Sequence, residues 1–241
     1  MIALDGSFPV MHADRGPWLY PTAGLLLSGR HARLDVRSMA PFAIGDGIVG
    51  AVRYLATGSS ELPPLMGALN RHNDPPVAIP ALAVTLDGLI PRDDGAHGIL
   101  GGEYRLVLAG RPFEADLSGP EEPRAGMDTE RTVSFLLNQV ALRGGLAVDT
   151  RGTRVHAVAL AGNGFGTLSL WNPLLGLEFA VHTPARGWAG FHARLRGQVQ
   201  HVGYAGYEPV NRSDAPFWDT DIREWTRTLS LELGMTLRLG R

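Results

Sequence analysis

The segment TLSLELGMTLRL, residues 228–239, decides the fold class. Leu229, Leu231, Leu233, Met235, Leu237 and Leu239 occupy one parity, and Thr228, Ser230, Glu232, Gly234, Thr236 and Arg238 the other. Strict alternation of this kind is the mark of a β-strand with one apolar and one polar face, because successive side chains leave the backbone on opposite sides. At ~3.3 Å per residue the segment extends roughly 40 Å, long for an ordinary strand and suited to a barrel or a large sandwich. The expectation that follows is a dry interior, shared with other strands, into which these leucines point.

Shorter alternations recur. Leu34 and Val36 alternate with Arg33, Asp35 and Arg37; Leu82, Val84 and Leu86 with Thr85 and Asp87; Tyr104, Leu106 and Leu108 with Glu103 and Arg105. Phe191, Ala193, Leu195 and Val199 oppose His192, Arg194, Arg196, Gln198 and Gln200. Turn signals stand at Asp93-Asp94-Gly95, Gly101-Gly102, Gly144-Gly145, Arg151-Gly152 and Asn163-Gly164. Strands near Arg154–Leu160 and Gly166–Trp171, joined through Gly162-Asn163-Gly164, form the best hairpin candidate.

Two stretches carry helical spacing. Asp128 is a suitable N-cap for Val133, Leu136, Leu137, Val140 and Ala141, with Gly144 placed to stop the helix. A second helix is predicted from about Glu61 to Asn70. Fold and domain expectations are therefore a mainly β chain, an antiparallel sandwich or barrel with one or two short helices. It forms a single domain over residues 1–241, the one weak boundary lying near 118–127 in a proline-rich stretch.

Composition excludes several chemistries. All 22 basic residues are arginine, so a lysine Schiff base and a P-loop lysine are ruled out. No cysteine is present, which removes thiolate catalysis, Cys-ligated zinc, iron–sulfur clusters and disulfides. A net charge of −2 with arginine spread along the chain argues against a nucleic-acid partner. The N-terminal MIALDGSFPV lacks a basic region and an apolar stretch, so the expected placement is cytoplasmic synthesis without a membrane partner.

Gly45-Asp46-Gly47-Ile48-Val49-Gly50 matches a dinucleotide-binding fingerprint, yet the proline-containing lead-in and missing βαβ unit favour a tight turn. Gly162-Asn163-Gly164-Phe165-Gly166 reads as a hairpin tip, since no lysine or helix follows to cradle phosphate. No cofactor and no metal are expected, because the eight histidines lack close ligand spacing. By parity, His201 shares the apolar face with Phe191 and Val199, whereas His192 lies on the Arg/Gln face. His156, His182 and His201 are the candidate acid–base residues. Asp214, Phe217, Trp218, Asp219, Asp221 and Trp225 form the candidate binding surface, aromatic anchors among carboxylates in a polar loop.

The leading functional expectation is a structural or assembly subunit, a virion, tail or shell component. It would act through contacts with itself or other subunits and could be incorporated in a particle. The alternatives are a barrel whose pocket binds, cyclises or isomerises a small apolar molecule, and a glycan-binding sandwich. A transmembrane barrel comes last, because a leader and aromatic girdles are not visible.

Overall fold

The computed structural model describes residues 2–13, 16–19, 22–58, 79–92, 95–114, 130–166, 169–183, 189–208 and 218–239. Among these, eleven strands and one helix are present: β1 (Ile2–Ala13), β2 (Gly16–Leu19), β3 (Thr22–Ser28), β4 (Ala32–Ser38), α1 (Ala40–Thr57), β5 (Ile79–Pro91), β6 (Ala96–Glu114), β7 (Glu130–Thr150), β8 (Thr153–Gly166), β9 (Ser169–His182), β10 (Ala189–Glu208) and β11 (Trp218–Leu239). All strands belong to one sheet, and neighbours are consecutive apart from the small interruption at β2. β2 pairs with the upper part of β1, and β3 with its lower part, so the two act as one broken wall strand.

Antiparallel pairing of β1 with β11, Ile2 opposite Leu239 through His12 opposite Leu229, closes the sheet into a barrel. Closure leaves the paired wall without a free edge. Of the two expected architectures, the barrel is the one observed. The register is strongly staggered. A row of partners leaving His12 passes Leu229, Gly197, Leu177, Ala159, Gly144, Leu100 and Gly88, and reaches Ala32 at the opposite end of the wall. Such stagger tilts strands by about 35–45° to the barrel axis.

The two ends differ. One end holds both termini of the wall and the short links between β3 and β4, β5 and β6, β7 and β8, and β9 and β10. Arg151 (φ 51°) and Gly152 (φ 83°) make the two-residue β7–β8 turn, with both residues in the left-handed region that a type I′ hairpin needs. The opposite end carries α1 and the longer connections. There β6–β7 pairing runs on to Glu114 opposite Glu130, and β10–β11 pairing to Glu208 opposite Trp218, past the last partners of the flanking strands. These two hairpins project beyond the wall as ribbons.

The alternating faces are present, but their sense is inverted. Leu229, Leu231, Leu233 and Met235 point outward, 38–55% exposed, and do not line a dry interior. Leu100, Leu142, Leu177, Phe179 and Phe191 do the same, Leu142 at 72%. The buried positions of these strands include Glu103, Arg143, Glu178, His192 and Arg196, and those of β4 are Arg33, Asp35 and Arg37. Among the described residues, Leu89, Ile99, Ala147, Val158 and Leu160 form one buried apolar cluster, and Val107, Leu137, Ala141, Leu174 and Ala180 are buried as well.

Several local expectations are corrected. Residues 130–150 form β7, not a helix, with Leu137 and Ala141 inward and Val140 outward. The apolar run at the start of this segment suits an extended strand equally well, and pairing on both sides decides for it. The glycine run 45–50 lies within α1, not in a turn. Gly162-Asn163-Gly164 is strand interior, and the β8–β9 link falls between Gly166 and Ser169. Gly101-Gly102 and Gly144-Gly145 are likewise inside strands. A Cβ on Gly162 would collide with the Val140 carbonyl, so this glycine permits close approach of β7 and β8. The predicted helix near 61–70 and the boundary near 118–127 lie outside the described residues. Replacing Gly162 by Val is expected to destabilise the folded barrel by about 1–3 kcal/mol, measured as a lower urea midpoint at unchanged slope.

Candidate functional site

The barrel interior is built from inward positions of β4 to β11, where the polar parity of each strand meets the polar parity of the others. At mid-height Arg143 on β7 donates from Nε to Asp87 Oδ1 at 2.9 Å, from Nη1 to Glu103 Oε2 at 2.9 Å and from Nη2 to Glu178 Oε1 at 3.0 Å. Its three partners lie on β5, β6 and β9. Arg196 on β10 reaches across the lumen to both oxygens of Glu103, at 2.7 and 2.8 Å, and donates to Gln198 at 2.9 Å. Arg105 adds a contact to Glu103 at 2.6 Å. Glu178 and Arg143 are 0% and 3% exposed at the side chain, so this layer is shielded and its pairings are strong.

Nearer the short turns Asp35 collects three guanidiniums. Arg37 donates to it at 2.8 and 2.9 Å, Arg194 at 3.0 Å and Arg33 at 3.5 Å. Arg37 also pairs with Glu232, whose carboxylate lies 3.1 Å from His192 Nε2. Toward the opposite end charges give way to amides, with Gln139 donating to Gln200 at 2.6 Å and Asn172 to the Gly164 carbonyl at 3.1 Å. The lumen therefore passes from an arginine–carboxylate layer to an amide layer.

His156, His182 and His192, on the neighbouring strands β8, β9 and β10, stack inside this lower region. Ring centroids are 5.4 and 5.6 Å apart. His156 Nε2 lies 3.3 Å from Glu178, and Arg33 Nη1 lies 3.3 Å from His182 Nε2. Because guanidinium can only donate, that Nε2 accepts and the proton of His182 sits on Nδ1. Among the described residues no three His, Asp or Glu side chains are grouped to hold a metal ion.

Of the candidate acid–base residues, the structure thus brings His156 and His182 together and places His201 elsewhere. His201 is on the opposite parity from His192, as expected, and meets Trp225 edge-on at 5.4 Å between centroids. Trp225 is exposed on the outer face. Trp218, Asp219 and Asp221 lie on the projecting β10–β11 ribbon, opposite Glu208, Tyr207 and Ala205. Asp214 and Phe217 are outside the described residues. The Arg143–Glu103–Glu178 layer was not anticipated. Its signal in the sequence is opposite charges on one parity of one strand, as in Glu103 and Arg105.

An inverted barrel of this shape has a counterpart among solved structures. The outer membrane protease OmpT of Escherichia coli superposes with a TM-score of 0.52 over 99% of this chain and 93% of that one, at 4% identity. The likeness is one of fold. An outer membrane protein of Vibrio cholerae, also called OmpT (12% identity, 98% and 96% covered, TM-score 0.30), and the toluene transporter TbuX of Ralstonia pickettii (8%, 99% and 88%, 0.31) superpose too loosely to bear on it. The chain matches no family model and no curated protein.

These findings overturn the functional expectations. A virion, tail or shell subunit, cytoplasmic or packed in a particle and with no membrane partner, needs a polar outer surface. This wall is apolar outside, and the solved barrel that shares its fold is an outer membrane protein. A carrier or cyclase pocket for an apolar molecule fails as well, because the mid-lumen is filled by ion pairs. Removing one hub of that network strands its partners. Arg143→Met leaves Asp87, Glu103 and Glu178 short of a cation and is expected to cost about 3–5 kcal/mol. Denaturant titration of R143M against R143M/D87N checks this, with partial recovery expected in the double variant.

Proposed function

We propose that the chain is an integral membrane β-barrel of the outer-membrane type. Its lumen is shut to bulk solutes at mid-height, and its working surface is at the end with the long connections. The single observation that carries this reading is the parity of exposure, with large apolar side chains outward and paired charges inward on strand after strand. In water such a wall would expose far more contiguous apolar surface than soluble monomers tolerate. Against lipid it is the stable arrangement, and barrel closure satisfies the backbone without water.

The dimensions agree. On β9 the outward positions from Trp171 through Leu175, Leu177 and Phe179 to Val181 cover ten residue steps, ~33 Å along the strand and roughly 25 Å along a tilted barrel axis. That is the height of a lipid-facing band. Phe165, Trp171 and Trp225 stand exposed toward one margin of it, in the manner of an interfacial aromatic girdle. No helix among the described residues is long and apolar enough to cross a membrane, and a barrel needs none. Short turns at one end and long connections at the other match the periplasmic and external ends of such barrels. The β10–β11 ribbon, which carries Trp218, Asp219 and Asp221, then projects outside and supports a binding role for that end.

Reconstitution tests the reading. The chain is expected to fold into lipid vesicles, to migrate differently on gels before and after boiling, and to give no steady ion conductance. Leu142→Arg is expected to weaken folding into vesicles by about 2–4 kcal/mol, whereas on a water-exposed face the same change would be near neutral. A chain that stays monomeric and folded without detergent or lipid, and tolerates Leu142→Arg, would end the proposal.

A further inference from the structure

The mouth of the barrel at the short-turn end holds a cavity of about 350 Å³ lined by Arg33, Arg154, Arg238, His182, Thr236 and Asp149, together with apolar and backbone atoms. We propose that this mouth is a binding site for a small phosphate-type oxyanion, free or carried by a small solute. Charge accounting at the lining carries the inference. Three guanidiniums face one carboxylate, and that carboxylate is already taken: Arg154 holds Asp149 through two bonds of 2.8 Å. Arg238 has no ion pair among the described residues.

Arg33 is the decisive group. It is 7% exposed, so its charge is largely removed from water. Its one carboxylate contact, to Asp35, is the longest of the three that Asp35 makes, at 3.5 Å against 2.8 Å to Arg37 and 3.0 Å to Arg194. Its other contact is a neutral imidazole acceptor, His182. A buried cation that shares a neutralised partner keeps an uncompensated positive field, and that field opens into the cavity. Guanidinium forks match the paired oxygens of phosphate, and two unmatched charges match a dianion. The volume stands at the small end of ligand pockets, enough for phosphate or a short phosphorylated solute. Its position assigns the source to the aqueous compartment that faces the short turns.

Titrating inorganic phosphate into the full chain folded in a neutral detergent, at low ionic strength and with calorimetric readout, tests the site. Saturable binding of one phosphate per chain is expected. Arg33→Met should weaken it about tenfold or more and Arg238→Met by a smaller factor, while Arg227→Met, on the outer face, should leave it unchanged. Absence of saturable binding overturns the site, as does equal affinity in wild type, R33M and R238M. Should R33M not fold, judged by its gel shift on boiling, R33K and R238M decide: retained binding in the first and weakened binding in the second support the site, and unchanged affinity in R238M refutes it. Loss of this site would leave vesicle insertion intact, so it is separable from the membrane reading.

Discussion

A barrel that turns its leucines outward must neutralise everything it turns inward, and the whole structure depends on how the Arg143 layer does so. One guanidinium binds carboxylates from three other strands, and Glu103 in turn receives Arg105, Arg143 and Arg196. An isolated buried charge would cost many kilocalories per mole, so each member is tolerable only because the others are present. The layer also spans the lumen, since Arg196 on β10 reaches Glu103 on β6. It therefore cross-braces a wall whose sides would otherwise communicate only through hydrogen bonds around the ring.

The absence of lysine gains a structural consequence in this setting. Arginine offers five donors in a fixed plane and can serve several acceptors at once, whereas an ammonium is a point charge with a strong hydration shell. Each junction in the lumen uses that capacity: Arg143 has three carboxylate partners, Arg196 a carboxylate and an amide, Arg37 two carboxylates. The lumen shows what such side chains accomplish when packed. The low overall charge has a matching cause. Charged residues are gathered inside, and the outer band has little need of them.

The strands were legible from the sequence because period-two alternation is a local property. Residues 228–239, 191–200 and 32–38 all lie in the strands their patterns implied. Alternation does not state which face is dry, because the pattern of an inside-out strand and that of an ordinary one are the same string. The inward charge ladder is the only local clue, and it asks for partners on distant strands. The helix expected after Asp128 failed for a related reason: Leu136, Leu137, Val140 and Ala141 satisfy helical spacing and strand parity together, and pairing with β6 and β8 selected the strand. Glycine pairs misled in the same way, since Gly101-Gly102 and Gly144-Gly145 allow close strand approach in a crowded wall as readily as they form turns.

Among the candidate site residues, parity separated His192 from His201 correctly, but nothing in the spacing of His156, His182 and His192 announces a stack. They fall at unrelated sequence separations because each comes from a different strand, aligned by the stagger of the register. The same stagger sets the order of layers along the axis. Arginines with histidines stand at the short-turn end, ion pairs at mid-height and amides beyond. The ion pairs stand between the two mouths of the lumen, and each end presents its own chemistry. The arginine-lined mouth and the projecting ribbons stand at opposite ends of the same strands, with the ionic layer bracing the wall between them.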